Sequence, residues 1–240
     1  MLVISAKGWL QGLVLGWMVL AVAASVQLGL LDTNLATVQN EIVNRHNALR
    51  RSVNPTASNM LRMEWNNQAA SNAEKWIKKC IVSNSPREER KTDNFFCGEN
   101  LFFTTYPAPW SDVMERWFNE SSNFIYGTGA KEEGLQIEGY TQAVWYNSHQ
   151  IGCAAFRCLN NTYQYFYACH YCPPGNYINS MKEPYKRGQP CGDCPHHCDN
   201  KLCTNPCPYQ DFCTRNRALC IYKSFRDNCL ATCNCLTEII

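Results

Sequence analysis

The segment Cys191-x-x-Cys194-Pro195-His196-His197-Cys198-x4-Cys203 carries thiol and imidazole donors at metal-ligand spacing. Zinc takes such donors in a tetrahedral set. Oxidation is the competing chemistry, and the cysteine count favours it. The chain has 16 cysteines, an even number far above ordinary usage, in 240 residues. An oxidising compartment pairs such thiols, whereas a reducing one must hold them all apart. The segment is therefore read as disulfides, and no metal site is assigned to it. Three other histidines stand outside it. His46 falls near the Ile42/Leu49 face of a predicted helix, His149 follows Asn147-Ser148 in a predicted turn, and His170 alternates with cysteines in a predicted strand. No serine or cysteine nucleophile is tied to any of them by spacing. Triads are defined by geometry rather than by sequence, so no catalytic residue is assigned and no enzyme is expected. Glu99 and Glu120 are expected to be structural. Glu99 would bond backbone amides at a strand start, and Glu120 would be an ordinary helix residue, since buried carboxylates need partners before chemistry.

A second group lies near the C-terminus. Arg215, Arg217, Lys223 and Arg226 surround Phe212, Tyr222 and Phe225. On a rigid disulfide scaffold, such a basic aromatic face can place a cation at a channel pore. The alternative is solvated charge around a partial core. The formal net charge of +2 is too small for a nucleic-acid partner. The sequons Asn119-Glu120-Ser121 and Asn160-Asn161-Thr162 are candidate glycan sites in an exported chain.

The elements that position these residues follow from pattern. Residues 1–25 read as a signal peptide. Lys7 is the only charge, Trp9 to Ala24 is mostly apolar, and Ala21-x-Ala23 fits a peptidase site. No other stretch is apolar enough to span a bilayer, so the mature chain is expected to have no transmembrane segment. Six cysteines lie between Cys80 and Cys172 and ten between Cys191 and Cys235, with a Pro-, Gly- and Asn-containing linker between. The first region can bury a core, whereas the second depends on disulfides. Leu35, Val38, Ile42 and Leu49 predict a helix capped by Asp32 or Thr33. Ala69, Ala73, Trp76 and Cys80 predict another. Trp110, Val113, Met114 and Trp117 predict a third, with Ser111 as cap. Strands are predicted at Leu101–Thr104, Ala143–Trp145, Cys153–Arg157 and Tyr163–Tyr171, and the stretch Glu138 to Trp145 is expected to enter a central strand. Helices early and strands late predict an α+β fold with a mixed sheet covered by helices.

Several motifs carry a resemblance. Tyr140-Thr141-Gln142 with Trp145 resembles the first signature of the CAP superfamily, and Phe166 through Tyr177 resembles the second. Cys97-Gly98-Glu99-Asn100-Leu101 is similar to the same family's Gly-Glu-Asn-Leu segment. Asn44 to Arg51 and Ala57 to Leu61 resemble the opening helix and loop of mammalian cysteine-rich secretory proteins. Asn84 and Thr237-Glu238-Ile239 look most like the epididymal, sperm-coating subtype. The resemblance implies a CAP α/β/α sandwich over 36–175, a linker and disulfide hinge over 176–206, and a small helical toxin-like (ShK) domain over 207–240. It also implies the pairs Cys80–Cys158, Cys97–Cys172, Cys153–Cys169, Cys191–Cys198, Cys194–Cys203, Cys207–Cys235, Cys213–Cys229 and Cys220–Cys233. Spacing alone does not choose among connectivities.

The same resemblance places a cleft of two histidines and two glutamates at Asn84, Glu99, Glu120 and Gly139. Here both imidazoles are replaced, so no metal or other cofactor is expected. The implied function is a secreted sperm-coating protein acting in sperm maturation and egg binding, with sperm-surface and egg-surface proteins as partners. The egg-binding residues would be Pro173, Pro174, Gly175, Asn176 and Tyr177. The alternative is regulation of a cation channel through Arg215, Arg217, Tyr222, Lys223, Phe225 and Arg226. A CAP-domain sterol carrier or hydrolase comes third.

Overall fold

The computed structural model describes Gly29, residues 31–211, Cys213 and residues 216–240. The expected signal peptide, Phe212 and Arg215 lie outside the described residues.

The helices are α1 (Ala36–Arg51), α2 (Asn67–Ile77), α3 (Trp110–Phe118), α4 (Glu138–Ala143), α5 (Lys223–Asn228) and α6 (Leu230–Asn234). The strands are β1 (Glu64–Trp65), β2 (Gly98–Thr104), β3 (Phe124–Ile125), β4 (Gly129–Ala130), β5 (Gln150–Arg157), β6 (Tyr165–Cys172), β7 (Cys198–Asp199) and β8 (Leu202–Cys203). A four-stranded sheet runs β1-β5-β6-β2. Its β1/β5 pair is parallel, while β5/β6 and β6/β2 are antiparallel. Every residue of β6 is buried, as a central strand covered on both faces requires.

Strand alternation assigns the two faces. On one, Ile151, Tyr167, Cys169 and Tyr171 meet Val38 and Ile42 of α1 and Trp110, Val113, Met114 and Trp117 of α3. On the other, Ala154, Phe166 and Ala168 meet Ala73, Trp76 and Ile77 of α2. The result is an α/β/α sandwich. Close approach of α2 depends on Gly152. A β-carbon there would stand 2.1 Å from the Ala70 nitrogen and 2.4 Å from the Asn66 carbonyl. Asn66 caps α2 by accepting from the Ala69 amide at 2.8 Å.

Three expectations are corrected. Leu35, not Asp32 or Thr33, occupies the α1 N-cap, without a side-chain cap bond. Asp32 Oδ1 is instead used in the preceding turn, accepting from the Asn34 amide at 2.9 Å. Pro109 occupies the α3 N-cap and Ser111 lies inside the helix, its hydroxyl on Asp112 Oδ1 at 3.1 Å. The stretch Glu138–Ala143 is helix α4, and Ala143–Trp145 is no strand. Gly139 through Trp145 are all buried. They therefore lack the in-and-out alternation of a half-buried strand, and β-branched and aromatic content alone misleads. The central strand begins only at Gln150.

Eight disulfides join Cys80–Cys158, Cys97–Cys172, Cys153–Cys169, Cys191–Cys198, Cys194–Cys203, Cys207–Cys235, Cys213–Cys229 and Cys220–Cys233. These pairs are the ones the family resemblance implies. The segment expected to be a linker is docked on the body. The Ser58 amide donates to the Lys186 carbonyl and the Gly188 amide to that of Thr56, each at 2.9 Å. The hinge continues the contact. The Cys203 amide donates to the Met60 carbonyl at 2.7 Å, and the Arg62 amide to that of Cys203 at 2.8 Å. Ile239 is buried with Leu61 and the hinge cystines.

Arg50, in the last turn of α1, is 1% exposed and ties three segments together. Its Nε and Nη2 donate to the Leu61 carbonyl at 2.9 and 2.7 Å. Nη1 donates to the carbonyls of Ala143 (3.0 Å) and Trp145 (2.8 Å), and Nη2 also to that of Tyr146 (2.9 Å). All five guanidinium donors are therefore used. Burial lowers the Arg50 pKa to about 9, which leaves it cationic at neutral pH. Arg50→Met should cost about 3 kcal/mol or more, because buried carbonyls lose their donors. Arg50→Lys should cost nearly as much, since an ammonium cannot reproduce the fork. Urea denaturation of the disulfide-intact proteins measures both, and wild-type stability in the lysine variant would contradict the assignment.

Candidate functional site

Glu99 is the second residue of β2 and lies opposite His170 of β6 in the sheet register. Its side chain is wholly buried. Oε1 accepts from the Ser85 amide at 2.8 Å and from Asn84 Nδ2 at 3.1 Å. Oε2 accepts from the Ser85 hydroxyl at 2.7 Å and from His170 Nε2 at 3.0 Å. Arg90 Nη1 stands 3.6 Å from Oε1. Burial pushes the Glu99 pKa up, but the hydrogen bonds from His170 and Ser85 outweigh it and hold the carboxyl below its ordinary value. Glu99 is an ionised acceptor with a complete shell.

His170 must then donate from Nε2. Its Nδ1 is buried without a partner. A protonated ring would leave an N–H there unbonded, so the neutral Nε2–H tautomer fits. Burial lowers the His170 pKa accordingly. His46 is likewise buried, with Nδ1 on the Ile42 carbonyl (2.8 Å) and Nε2 on the Tyr171 hydroxyl (3.0 Å). Asn100 Nδ2 continues that chain, donating to the Tyr171 oxygen at 3.2 Å and the Gly139 carbonyl at 2.9 Å.

Glu120 sits in the 3-10 turn Asn119–Asn123 that follows α3, not on the helix itself. Its Oε2 accepts from the amides of Gly139 (2.7 Å) and Tyr140 (3.2 Å) at the start of α4. Burial raises its pKa, partly offset by those two bonds. A β-carbon on Gly139 would meet that carboxylate at 2.9 Å. Each surviving carboxylate is thus bonded to the residue that replaces an imidazole, Glu99 to Asn84 and Glu120 to Gly139. An amide and a backbone N–H are poor substitutes for imidazole as zinc ligands. Among the described residues, no group of three or more His, Cys, Asp or Glu side chains is placed to hold a metal. The residues do not fit the metal that the cleft pattern implies.

The loop Pro173–Tyr177 borders a groove of about 470 Å³ that Glu99, Arg87 and Arg90 also line. The Gly175 amide donates to Gln142 Oε1 at 2.9 Å, and Asn176 Nδ2 donates to the Glu138 carbonyl at 2.8 Å. The Thr141 hydroxyl donates to Asn176 Oδ1 at 2.7 Å. Tyr177 packs edge-on against Trp145, with centroids 5.6 Å apart. Helix α4 therefore holds the loop.

The C-terminal candidates separate. Arg217 Nη2 donates to the Cys235 carbonyl at 2.6 Å and Arg226 Nη1 to that of Cys220 at 3.3 Å. Lys223 pairs with Asp227 on the exposed side of α5. Ile221 and Tyr222 are exposed beside it, and Phe225 is half-buried. Both sequon asparagines, Asn119 and Asn160, are exposed. The Glu99–His170–Ser85 cluster and the Arg50 hub escape a reading of the sequence. Only the β2/β6 register, which pairs the Gly98-Glu99-Asn100 segment with His170-Tyr171, signals the first.

An α/β/α sandwich carrying this degenerate cleft, with a disulfide-rich tail, defines a secreted protein of the CAP class. Residues 43–171 match the model of the cysteine-rich secretory protein family, CAP, and residues 191–240 match the Crisp model. The chain belongs to the cysteine-rich secretory protein family. It is similar to the solved structure of Na-ASP-1, with 27% identity over 69% of this chain and a TM-score of 0.58, and spans about half of that protein, 46%. The structure of NaASP2 with Zn2+ is similar at 25% identity and a TM-score of 0.58, covering 71% of this chain and 96% of that one. Schistosoma mansoni venom allergen-like protein 4 shares the fold at 24% identity and a TM-score of 0.53, covering 67% of this chain and all of its own.

The neutral histidines make stability pH-dependent. Burial holds His46 at about 4 against an ordinary 6.5, and lowers His149 and His170 as well. Unfolded imidazoles take protons that the folded ones refuse, so stability is full above about pH 6.5 and falls as pH drops toward 4. His46 alone should account for about 3 kcal/mol of that loss. Urea denaturation at pH 7.5, 5.5 and 4 measures it. His46→Gln should flatten the profile, and an unchanged slope would assign the loss elsewhere.

Proposed function

We propose that this secreted CAP protein is a sperm-coating interaction protein that acts in sperm maturation and egg binding through the loop Pro173–Tyr177. The observation that carries the reading is how that loop is held. Gln142, Thr141 and the Glu138 carbonyl fix its backbone and Asn176, while Tyr177 and Ile178 remain 40% and 89% exposed. A pre-ordered loop with an exposed aromatic and aliphatic pair suits protein recognition, since little ordering entropy is lost on binding. The closed shell of Glu99 supports binding over catalysis. The similar NaASP2 structure is one with Zn2+, whereas in this chain the two positions where the family pattern has imidazoles are Asn84 and Gly139. The test is binding of full-length protein to eggs and to sperm. Tyr177→Ala with Ile178→Ser should weaken egg binding roughly tenfold or more. Wild-type binding by that variant, or no egg binding by the wild type, would overturn the reading.

One observation favours a second role, regulation of a cation channel. Ile221, Tyr222 and Lys223 are consecutive and exposed on the disulfide-bonded tail. An ammonium beside an aromatic ring is a suitable group for an outer pore mouth. Applied to cells carrying calcium or potassium currents, the full-length protein should reduce the current and Lys223→Gln should not. No effect of either protein would remove this role.

A further inference from the structure

We propose that an N-linked glycan on Asn160 folds back over an apolar patch beside it and covers that patch as part of the native surface. Helix α2 ends at Ile77 and covers Ala154, Phe166 and Ala168 on its side of the sheet. Cys80, Phe103 and Phe156 pack against the same cluster but stay partly exposed. Tyr163 extends this surface, its ring centroid 6.2 Å from that of Phe103. The Cys80–Cys158 disulfide brings the chain neighbours of both cysteines to it, Ile81 and Val82 on one side and Leu159 on the other. Ile81, Val82, Leu159 and Tyr163 are 45%, 49%, 68% and 41% exposed. Four large apolar side chains around one disulfide form a patch of the kind that marks a contact.

The loop that joins β5 to β6 identifies the occupant, because it carries the sequon Asn160-Asn161-Thr162 within the patch. Two backbone bonds close this loop. The Cys158 amide donates to the Gln164 carbonyl at 2.7 Å and the Asn161 amide to that of Cys158 at 3.3 Å. Asn161 Nδ2 donates to the Cys80 carbonyl at 3.0 Å, and its Oδ1 accepts from the Tyr163 amide at 3.2 Å. Asn161 therefore ties the loop to the patch, while Asn160 is exposed next to Leu159. The modification is a glycosyl transfer from a lipid diphosphate-linked oligosaccharide. The Asn160 amide nitrogen loses a proton to solvent and bonds the anomeric carbon of the first N-acetylglucosamine. The bond from that carbon to the phosphate oxygen breaks, and the lipid diphosphate leaves with the electron pair. The attached sugar presents ring C–H groups and an acetyl methyl, which suit the Tyr163 ring and the Leu159 side chain. Being tethered, it meets the patch at an effective concentration on the order of mM. A second copy of the chain is the competing occupant. The patch shares no residue with the loop Pro173–Tyr177, so this inference does not depend on egg recognition.

The full-length protein, secreted by cells that attach N-glycans, is trimmed to one N-acetylglucosamine per site and studied by NMR. Mass analysis should find Asn160 modified, and the acetyl methyl should show nuclear Overhauser contacts to Tyr163 and Leu159. Tyr163→Ser keeps the sequon, so it should keep the sugar and lose its contacts to Leu159. Amidase removal of the whole glycan from untrimmed, already folded protein leaves an aspartate and needs no variant to fold. It should raise binding of an apolar dye roughly twofold or more, and Asn160→Gln should match it. Asn119→Gln should leave dye binding unchanged, since Glu120, Ser121 and Ser122 beside it are polar. An unmodified Asn160, a sugar without contacts to Tyr163 and Leu159, or unchanged dye binding after glycan removal would each overturn the proposal. Self-association of the glycosylated protein that Leu159→Ser abolishes would give the patch to a second copy and overturn it too.

Discussion

The architecture depends on one buried cation that pairs with no carboxylate among the described residues. Arg50 donates to the carbonyls of Leu61, Ala143, Trp145 and Tyr146. Those carbonyls belong to the loop before β1, the last residue of α4 and the connection from α4 to β5. Irregular backbone inside a fold has no ladder to satisfy it. A guanidinium at the end of α1 supplies the missing donors and welds these segments to a helix. The orientation of α4 follows from this, and so does the loop that α4 holds through Gln142 and Glu138.

The cleft shows how a fold keeps its shape when a ligand set is dismantled. Glu99 retains four donors and Glu120 two. Two opposite solutions appear. A dense shell including His170 and Ser85 stabilises the Glu99 charge, while burial outweighs two amides and destabilises that of Glu120. Both carboxylates serve packing and orientation in this chain.

How much was legible beforehand follows from what each feature depends on. Local periodicity located α1, α2 and α3, because their apolar faces repeat at helical spacing. The strand β6 was legible from its alternating cysteines and aromatics. The α4 segment was not, since burial on every side erases the period that separates helix from strand. The disulfide pairing came from resemblance, as spacing leaves many connectivities open. The cleft positions came from the same source, but what Glu99 touches did not. That contact requires the β2/β6 register, a long-range property. Arg50 was invisible for a related reason, since its partners are carbonyls, which every residue has.

The hinge has a consequence for how partners are met. Cys203 pairs with Met60 and Arg62, and Ile239 is buried with Leu61 and the hinge cystines. Body and tail are thus bolted together rather than joined by a tether. The span from the Pro173–Tyr177 loop to the Ile221–Lys223 tip becomes a ruler. A partner touching both must present its two epitopes at that spacing. Matched surfaces gain the full advantage of a second, intramolecular contact, and mismatched ones gain none. A partner that touched both would be selected by distance as well as by chemistry.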